Sequence, residues 1–401
     1  MLATVSSHAP SGFDGELVSV EVDIRHGLPG VDLVGLPDYA VRESRERVRV
    51  AIRNSAFAFP TEHILVSLAP AGLRKEGASF DLPIALGILA ASEQVGPKPT
   101  GRIMVLGELT LSGAVRPVRG ALSAVAAGLA AGIQDFMVPA ENVYEARALE
   151  AGRIHGIASL AEAAGLYSRI AAGDEPLSAS SARTGAPPSP RVDPSLGDLA
   201  DIRGHLPLKR ALEVAAAGRH HLLLFGPPGS GKTMAARRLP GLLPELSREE
   251  ALEVTRLHSL AGTLGPCGGL IERPPVRMPH HSASTEGILG GGRSLRPGEA
   301  SLAHHGILFL DEAPEFGSAL LQGLREPVEE GRVTIARAGS TVTWPARFQL
   351  VLAFNPCPCG NLGRSGRVCV CSPAEIHRYW RRMGGALLDR VDIRVPVDPV
   401  P

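Results

Sequence analysis

Gly226, Pro227, Pro228, Gly229, Ser230, Gly231, Lys232 and Thr233 spell GPPGSGKT, the spacing G-x-x-x-x-G-K-[ST]. Glycines at such positions let backbone N–H groups turn toward phosphate oxygens, while the lysine reaches the β- and γ-phosphates and the hydroxyl ligates magnesium. ATP and Mg2+ are the expected ligands. Lysine occurs only at 75, 98, 209 and 232, so one standing inside a phosphate motif is not background. Downstream, ILFLDE ends in Asp311 and Glu312. Asp311 is expected to hold magnesium through water, and Glu312 to polarise the attacking water. LVLAFN closes on Asn355, whose amide could hydrogen-bond the γ-phosphate or that water. In LLDRVDI, Arg390 stands at the close of a helical stretch. There it either satisfies helix-end carbonyls or reaches a neighbouring subunit's ATP and stabilises transition-state charge.

Four of the five cysteines, Cys357, Cys359, Cys369 and Cys371, crowd the stretch after Asn355. C-x-C, nine residues and C-x-C can bring four thiolates to one tetrahedral zinc ion. Unmetallated packed thiols and redox chemistry stay open beside that reading. From Gly331 to Arg382 the arginines stand at 332, 337, 347, 364, 367, 378, 381 and 382 against a single acid, Glu375, with Trp344, Tyr379 and Trp380 interleaved. Such a stretch fits contact with a DNA backbone, through Arg332, Arg337, Arg364 and Arg367, or else forms a solvated face or pairs with acids of a neighbouring subunit. His280 and His281 resemble metal ligands by type, but a structural role is expected of them.

Short apolar runs must position these residues. HHLLLF, GILFLDE and RFQLVLAFN read as strands and KTMAARRL as a helix start, which predicts an α/β domain with a largely parallel, doubly covered sheet. GRVTIARAGSTVTWP alternates apolar and polar residues around Gly339 and predicts a β-hairpin. Nearer the N-terminus ELVSVEVDI, HILVSLAP and RIMVLGEL read as strands. DYAVRESRERVRVAIRNS reads as a helix with Asp38 as its N-cap, and DLPIALGILAAS as a buried helix, in an α/β or α+β arrangement. The Ser-, Ala- and Pro-rich run between them lacks apolar periodicity, giving a domain over 1–172, a flexible linker over 173–197 and a second domain over 198–401. Composition is globular, at 44% hydrophobic and 20% charged, and a net charge of zero creates no global field toward nucleic acid or membrane. With no leader pattern and no run of membrane-spanning length, a cytoplasmic protein without a membrane partner is expected, where clustered cysteines point to metal or reactive thiols before disulfides.

VGLPDYAVRESRERVRVAIRNSAFAFP, RKEGASFDLPIALGILAAS, DIRGHLPLKRALEVAAAGRHHLLLFGPPGSGKT, PHHSAS, PGEASLAHHGILFLDEAPEF and FNPCPCG resemble the YifB/ComM family of magnesium-chelatase-like AAA+ proteins. The resemblance spans nearly the whole chain outside the linker. It implies a P-loop AAA+ domain following a ChlI-type domain of Lon-protease-like, ribosomal-protein-like α+β fold. It also implies a homo-hexameric motor. ComM-type members are helicases that drive branch migration in natural transformation, so branched or single-stranded DNA is the implied partner. By the same resemblance RMPHHSASTEGILGGGRSLRPGEA is a helix-2 insert, and it and the hairpin would project into a ring's pore. KEGAS is similar to the nucleophile segment of Lon proteases, with Ser79 at the nucleophile's place, but Leu122 stands where the base lysine would be, so no peptidase is expected. Family chains continue past LLDRVDIRVPV into a helical lid; this sequence stops at Pro401, so either it is a fragment or this member lacks its lid. Two other readings stay open, a chelatase-type ATPase that remodels a protein partner and an inactive ATP-binding scaffold.

Overall fold

Valine at every second position builds the first sheet: Val18, Val20 and Val22 are buried while the residues between them lie on the other face. The computed structural model describes residues 2–75, 77–96, 103–173, 197–265, 268–292, 295–337, 340–364 and 366–398. The chain divides into two units, Met1–Ser189 with His258–Leu270, and Pro190–Leu257 with Ile271–Pro401. Residues 174–196 of the expected linker lie outside the described residues. His258–Leu270 goes with the first unit, where Gly120 donates its backbone N–H to the Ser259 hydroxyl (3.0 Å). No shift in composition announces that excursion.

The principal strands of the first unit are β1 (Leu2–Ala9), β2 (Glu16–Arg25), β3 (Gly30–Val34), β4 (His63–Ala69), β5 (Ile103–Val105), β6 (Asp135–Pro139) and β7 (Arg153–Ile157). They form one mixed sheet in the order β3-β4-β2-β1-β5-β6-β7. β2 runs antiparallel to both β1 and β4, and the remaining pairs are parallel. Helix α1 (Tyr39–Asn54) starts where Asp38 accepts from Val41 N–H (2.8 Å), the cap read from the sequence. Helix α2 (Asp81–Ala91) is buried nearly all round, as its unbroken apolar run predicts. Of the Lon-like positions, Ser79 is half-buried, and Leu122, in helix α3 (Ala121–Ala130), is fully buried in the apolar interior.

In the second unit β8 (Leu222–Phe225), β9 (Val276–Arg277), β10 (Ile307–Leu310), β13 (Gln349–Phe354) and β14 (Ile393–Pro396) make a parallel sheet in the order β9-β10-β13-β8-β14. Between β10 and β13 the chain forms the expected hairpin, β11 (Arg332–Arg337) against β12 (Ser340–Pro345), with buried Val333 and Trp344 facing each other across it. Gly339, around which the hairpin was expected, lies outside the described residues. The sequence reading missed the short β9 and the edge strand β14.

One ion pair ties the first unit's helices together. The fully buried Asp81 accepts from Arg47 Nε (2.9 Å) and Nη2 (3.2 Å) and from Leu109 N–H (3.2 Å). Burial pushes its carboxyl up to about 6 from the ordinary 3.8, against the pull of the guanidinium. With the folded value raised, native Asp81 keeps a proton that the unfolded chain has already lost, so its stabilising contribution is full below about pH 4 and is lost as pH rises through 6. Relative to Asp81→Asn, the wild type is therefore expected to lose about 3 kcal/mol of unfolding free energy between those limits. Urea unfolding at a series of pH values measures this, and parallel profiles for the two proteins would contradict it.

Candidate functional site

Strand order creates the site. From β8 the chain passes to the far edge at β9, returns through β10 and β13, then crosses to β14 on the other flank of β8. Ligands of open parallel sheets sit beyond the carboxyl ends of the strands at such a reversal. Phe225 and Phe354, which end β8 and β13, are paired there, and Leu310, which ends β10, pairs with Leu352 two residues before Phe354.

The loop from Gly226 to Gly231 leads from β8 into helix α4 (Lys232–Arg238), with Gly229 and Gly231 at left-handed φ of 81° and 94°. Gly226 has no room for a side chain: a Cβ would lie 2.1 Å from the carbonyl oxygen of Val397, just past β14. Lys232 is buried, and its ammonium donates to Gly226 O (2.7 Å), Pro227 O (3.0 Å) and Asn355 Oδ1 (3.2 Å). Burial pushes its pKa down and Asp311 opposes that shift. Thr233 Oγ1 donates to Asp311 Oδ2 (2.7 Å), and Glu312 N–H donates to Asp311 Oδ1 (2.9 Å). The buried Ser230 hydroxyl has no hydrogen-bond partner among the described residues. A bound anion fits this loop, because it holds a buried cation on neutral acceptors together with that orphaned hydroxyl.

Lys232, Thr233, Asp311, Glu312 and Asn355, read separately from the sequence, thus come together. Arg390 does not join them: it donates to Ala386 O (2.7 Å) and pairs with Glu329. Sequence reasoning missed His281 as a neighbour of this site; its Nδ1 lies 3.5 Å from Glu312 Oε2. The segment PHHSAS was the available signal, but nothing in its spacing shows which carboxylate it faces.

The four cysteines also converge. All their sulfurs lie within 4.8 Å of one another, and Cys357 is buried. Cys357 to Cys359 spans 3.4 Å, while Cys359 to Cys369 and Cys369 to Cys357 each span 3.7 Å. A hydrogen bond from the Asn361 backbone draws the Cys359 thiol down to about 6. Helix α5 (Pro373–Arg381) follows directly, opened by a capping box of Ser372 and Glu375.

The arginines divide into two sets. Arg332 pairs with Glu330 (2.7 Å), and Arg337 donates to Gly292 O (2.7 Å). Trp344 Nε1 donates to Leu295 O (3.0 Å), so the hairpin packs on the preceding insert. That insert consists of a short helix, Thr285–Leu289, and paired strands Gly290–Gly291 and Arg296–Pro297. The side chains of Arg364 and Arg367, in the cysteine loop, have no hydrogen-bond or ion-pair partner among the described residues.

A second cluster escaped the sequence reading: Glu253 Oε2 lies 2.9 Å from Nε2 of both His304 and His305. His304 Nδ1 accepts the Arg347 backbone N–H (2.9 Å), so its proton sits on Nε2, the nitrogen a metal would need. Burial pushes His304 down to about 4, which keeps it neutral. The cluster is a hydrogen-bonded support near a cavity of about 310 Å3 at the amino-terminal ends of the strands, away from the phosphate loop.

Comparison with known proteins agrees with this geometry. The family described as magnesium chelatase, subunit ChlI, matches residues 198–401, and subunit ChlI of Mg-chelatase matches residues 20–142. An uncharacterized protein of Mycobacterium tuberculosis is 45% identical over 98% of this chain and 76% of its own length. The protein YifB of Escherichia coli is 43% identical over 100% of this chain and 76% of its own. The competence protein ComM of Haemophilus influenzae is 41% identical over 100% of this chain and 77% of its own. No helix among the described residues is long and apolar enough to cross a membrane. With a parallel P-loop sheet, a phosphate motif at its switch point and relatives matched along its whole length, the chain belongs to the YifB/ComM family of magnesium-chelatase-like AAA+ ATPases, which use ATP and Mg2+.

Proposed function

We propose that the chain is the subunit of a homo-hexameric, ATP-driven translocase that acts on branched or single-stranded DNA, in the manner of ComM-type branch-migration helicases. One observation carries the reading. Asn355 Oδ1 accepts from Lys232, and the chain beyond Asn355 runs directly into the loop that bears Arg364 and Arg367. Loss of a γ-phosphate contact at Asn355 is thereby felt in a basic loop whose guanidinium groups have no partner among the described residues. In this reading Lys232 and the loop amides hold the phosphates, while Thr233 and Asp311 hold magnesium. Glu312 orients water, and Arg390 completes a neighbour's site after leaving Glu329. The first unit contributes no peptidase, since Ser79 has no base at position 122.

The same loop exposes Val368 (82%) and Val370 (81%), and these favour the second reading, a protein partner remodelled by the motor. DNA dependence separates the two.

Structural zinc is assigned to the cysteines. A tetrahedron with Zn–S of about 2.3 Å has S···S edges of about 3.8 Å. The separations of 3.4 to 3.7 Å among Cys357, Cys359 and Cys369 lie close to that, and the Cys371 sulfur stands within 4.8 Å of the other three.

Hydrolysis by purified protein should rise when a four-way DNA junction is added, and the rise should fade at high salt. Arg364→Ala with Arg367→Ala should remove the rise and spare basal turnover. Hydrolysis indifferent to DNA would leave the protein-remodelling reading. Lys232→Ala should weaken ATP binding at least about tenfold, through loss of charge-assisted contacts. Arg390→Ala should keep binding but lose assembly-dependent turnover, and wild-type turnover would discard its role. Metal analysis should find about one zinc per chain.

A further inference from the structure

The cysteine loop touches the nucleotide site at more than Asn355. Gly360, between Cys359 and Asn361, has a left-handed φ of 74°, and a Cβ there would meet Pro228 Cγ and Cδ at 2.8 and 2.9 Å. Pro228 belongs to the phosphate loop, so the cysteine loop lies flush against it. At the other end, Trp380 of α5 donates Nε1–H to Pro356 O (3.0 Å). Its ring meets Phe354 (4.7 Å between centroids) and Phe225 (5.6 Å) edge-on. Those phenylalanines end the two strands that deliver Asn355 and the phosphate loop. Both exits of the cysteine loop are therefore anchored on the elements that position Lys232.

Between the anchors the loop has little apolar interior of its own. Cys357 is buried, Cys359, Cys369 and Cys371 are half-exposed, and Leu362, Val368 and Val370 face outward. What closes residues 357–371 is convergence of the four sulfurs.

We infer that a metal held by Cys357, Cys359, Cys369 and Cys371 braces the phosphate loop through Gly360 against Pro228, so that occupancy of the thiolate site sets the affinity for ATP although no cysteine belongs to the phosphate motif. The inference rests on the zinc reading above and adds to it a coupling between two ligand sites. Coupling of binding free energies is reciprocal, so ATP must tighten metal binding by the same factor by which metal tightens ATP binding. The usual size of a coupling between two ligand sites corresponds to roughly 5- to 150-fold.

The two tryptophans of the chain make the test direct. Trp344→Phe leaves Trp380 as the sole indole, seated between the cysteine loop and the ends of β8 and β13. Binding of a non-hydrolysable ATP analogue with Mg2+ is followed by Trp380 fluorescence and, independently, by equilibrium dialysis. The full chain is used as purified, after zinc extraction with a chelator under reducing conditions followed by dialysis, and after zinc is returned. Extraction should weaken binding by a factor in the stated range, and zinc should restore it. Zinc release to a chromogenic chelator should slow when the nucleotide analogue is present. Should the extracted chain unfold by circular dichroism, Trp380→Phe with zinc still bound substitutes for it. That variant loses the indole hydrogen bond to Pro356 O and part of the ring contact with Phe354 and Phe225, and it should also bind the analogue more weakly. Zinc measurably released with unchanged affinity, or Trp380→Phe with wild-type affinity in that second case, would overturn the coupling and leave the zinc reading intact. Protein that contains no zinc and takes up none would overturn the zinc reading, and with it the coupling.

Discussion

An ammonium group buried beside carbonyl oxygens is the constraint around which the second unit is organised. Lys232 has Gly226 O, Pro227 O and Asn355 Oδ1 as acceptors, so its charge is hydrogen-bonded but not neutralised. Holding such a charge away from water requires the loop backbone to curl around it and the end of β13 to stand beside the end of β8. Parallel pairing of Phe225 with Phe354 supplies the second condition, and glycine at 226, 229 and 231 supplies the first. A phosphate anion offers a direct countercharge beyond the distant pull of Asp311, so the arrangement that is costly for the buried ammonium favours the proposed ligand.

The elements around that loop differ in how they are held. The hairpin β11–β12 lies on the preceding insert through Trp344 and Arg337, and its arginines are engaged within the protein. The cysteine loop instead has sulfur convergence and a glycine contact; it leaves Arg367, Val368 and Val370 exposed and Arg364 half-buried. A surface meant for a partner fits the second description better than the first. That contrast is why the proposed DNA contact falls on Arg364 and Arg367 rather than on Arg332 and Arg337.

Much of this was legible in the sequence because the signals were local. GPPGSGKT, the Asp311–Glu312 pair and the Asp38 cap depend on neighbours within a few residues, and long apolar runs announced β8, β10 and β13. Strands β9 and β14 were missed because Val276–Arg277 has only two residues and Ile393–Pro396 carries an arginine and a proline; tertiary pairing, not propensity, makes them strands. The partners of Arg390, the approach of His281 to Glu312, and Gly360 against Pro228 are contacts between distant segments that no periodicity encodes. Assignment of His258–Leu270 to the first unit is of the same kind.

Gly226 has no room for a side chain because the Val397 carbonyl lies beneath it, and Val397 N–H in turn donates to Phe225 O (2.8 Å). The floor of the phosphate loop is thus laid by a segment synthesised long after the loop itself. During translation Lys232 emerges well before β14 exists to dock beside β8, and closing so distant a pair is slow compared with forming α4. The nascent chain must therefore pass through an interval in which the most recognisable motif in the sequence is present but its cradle is open on one side, and the cradle closes only once β14 has docked.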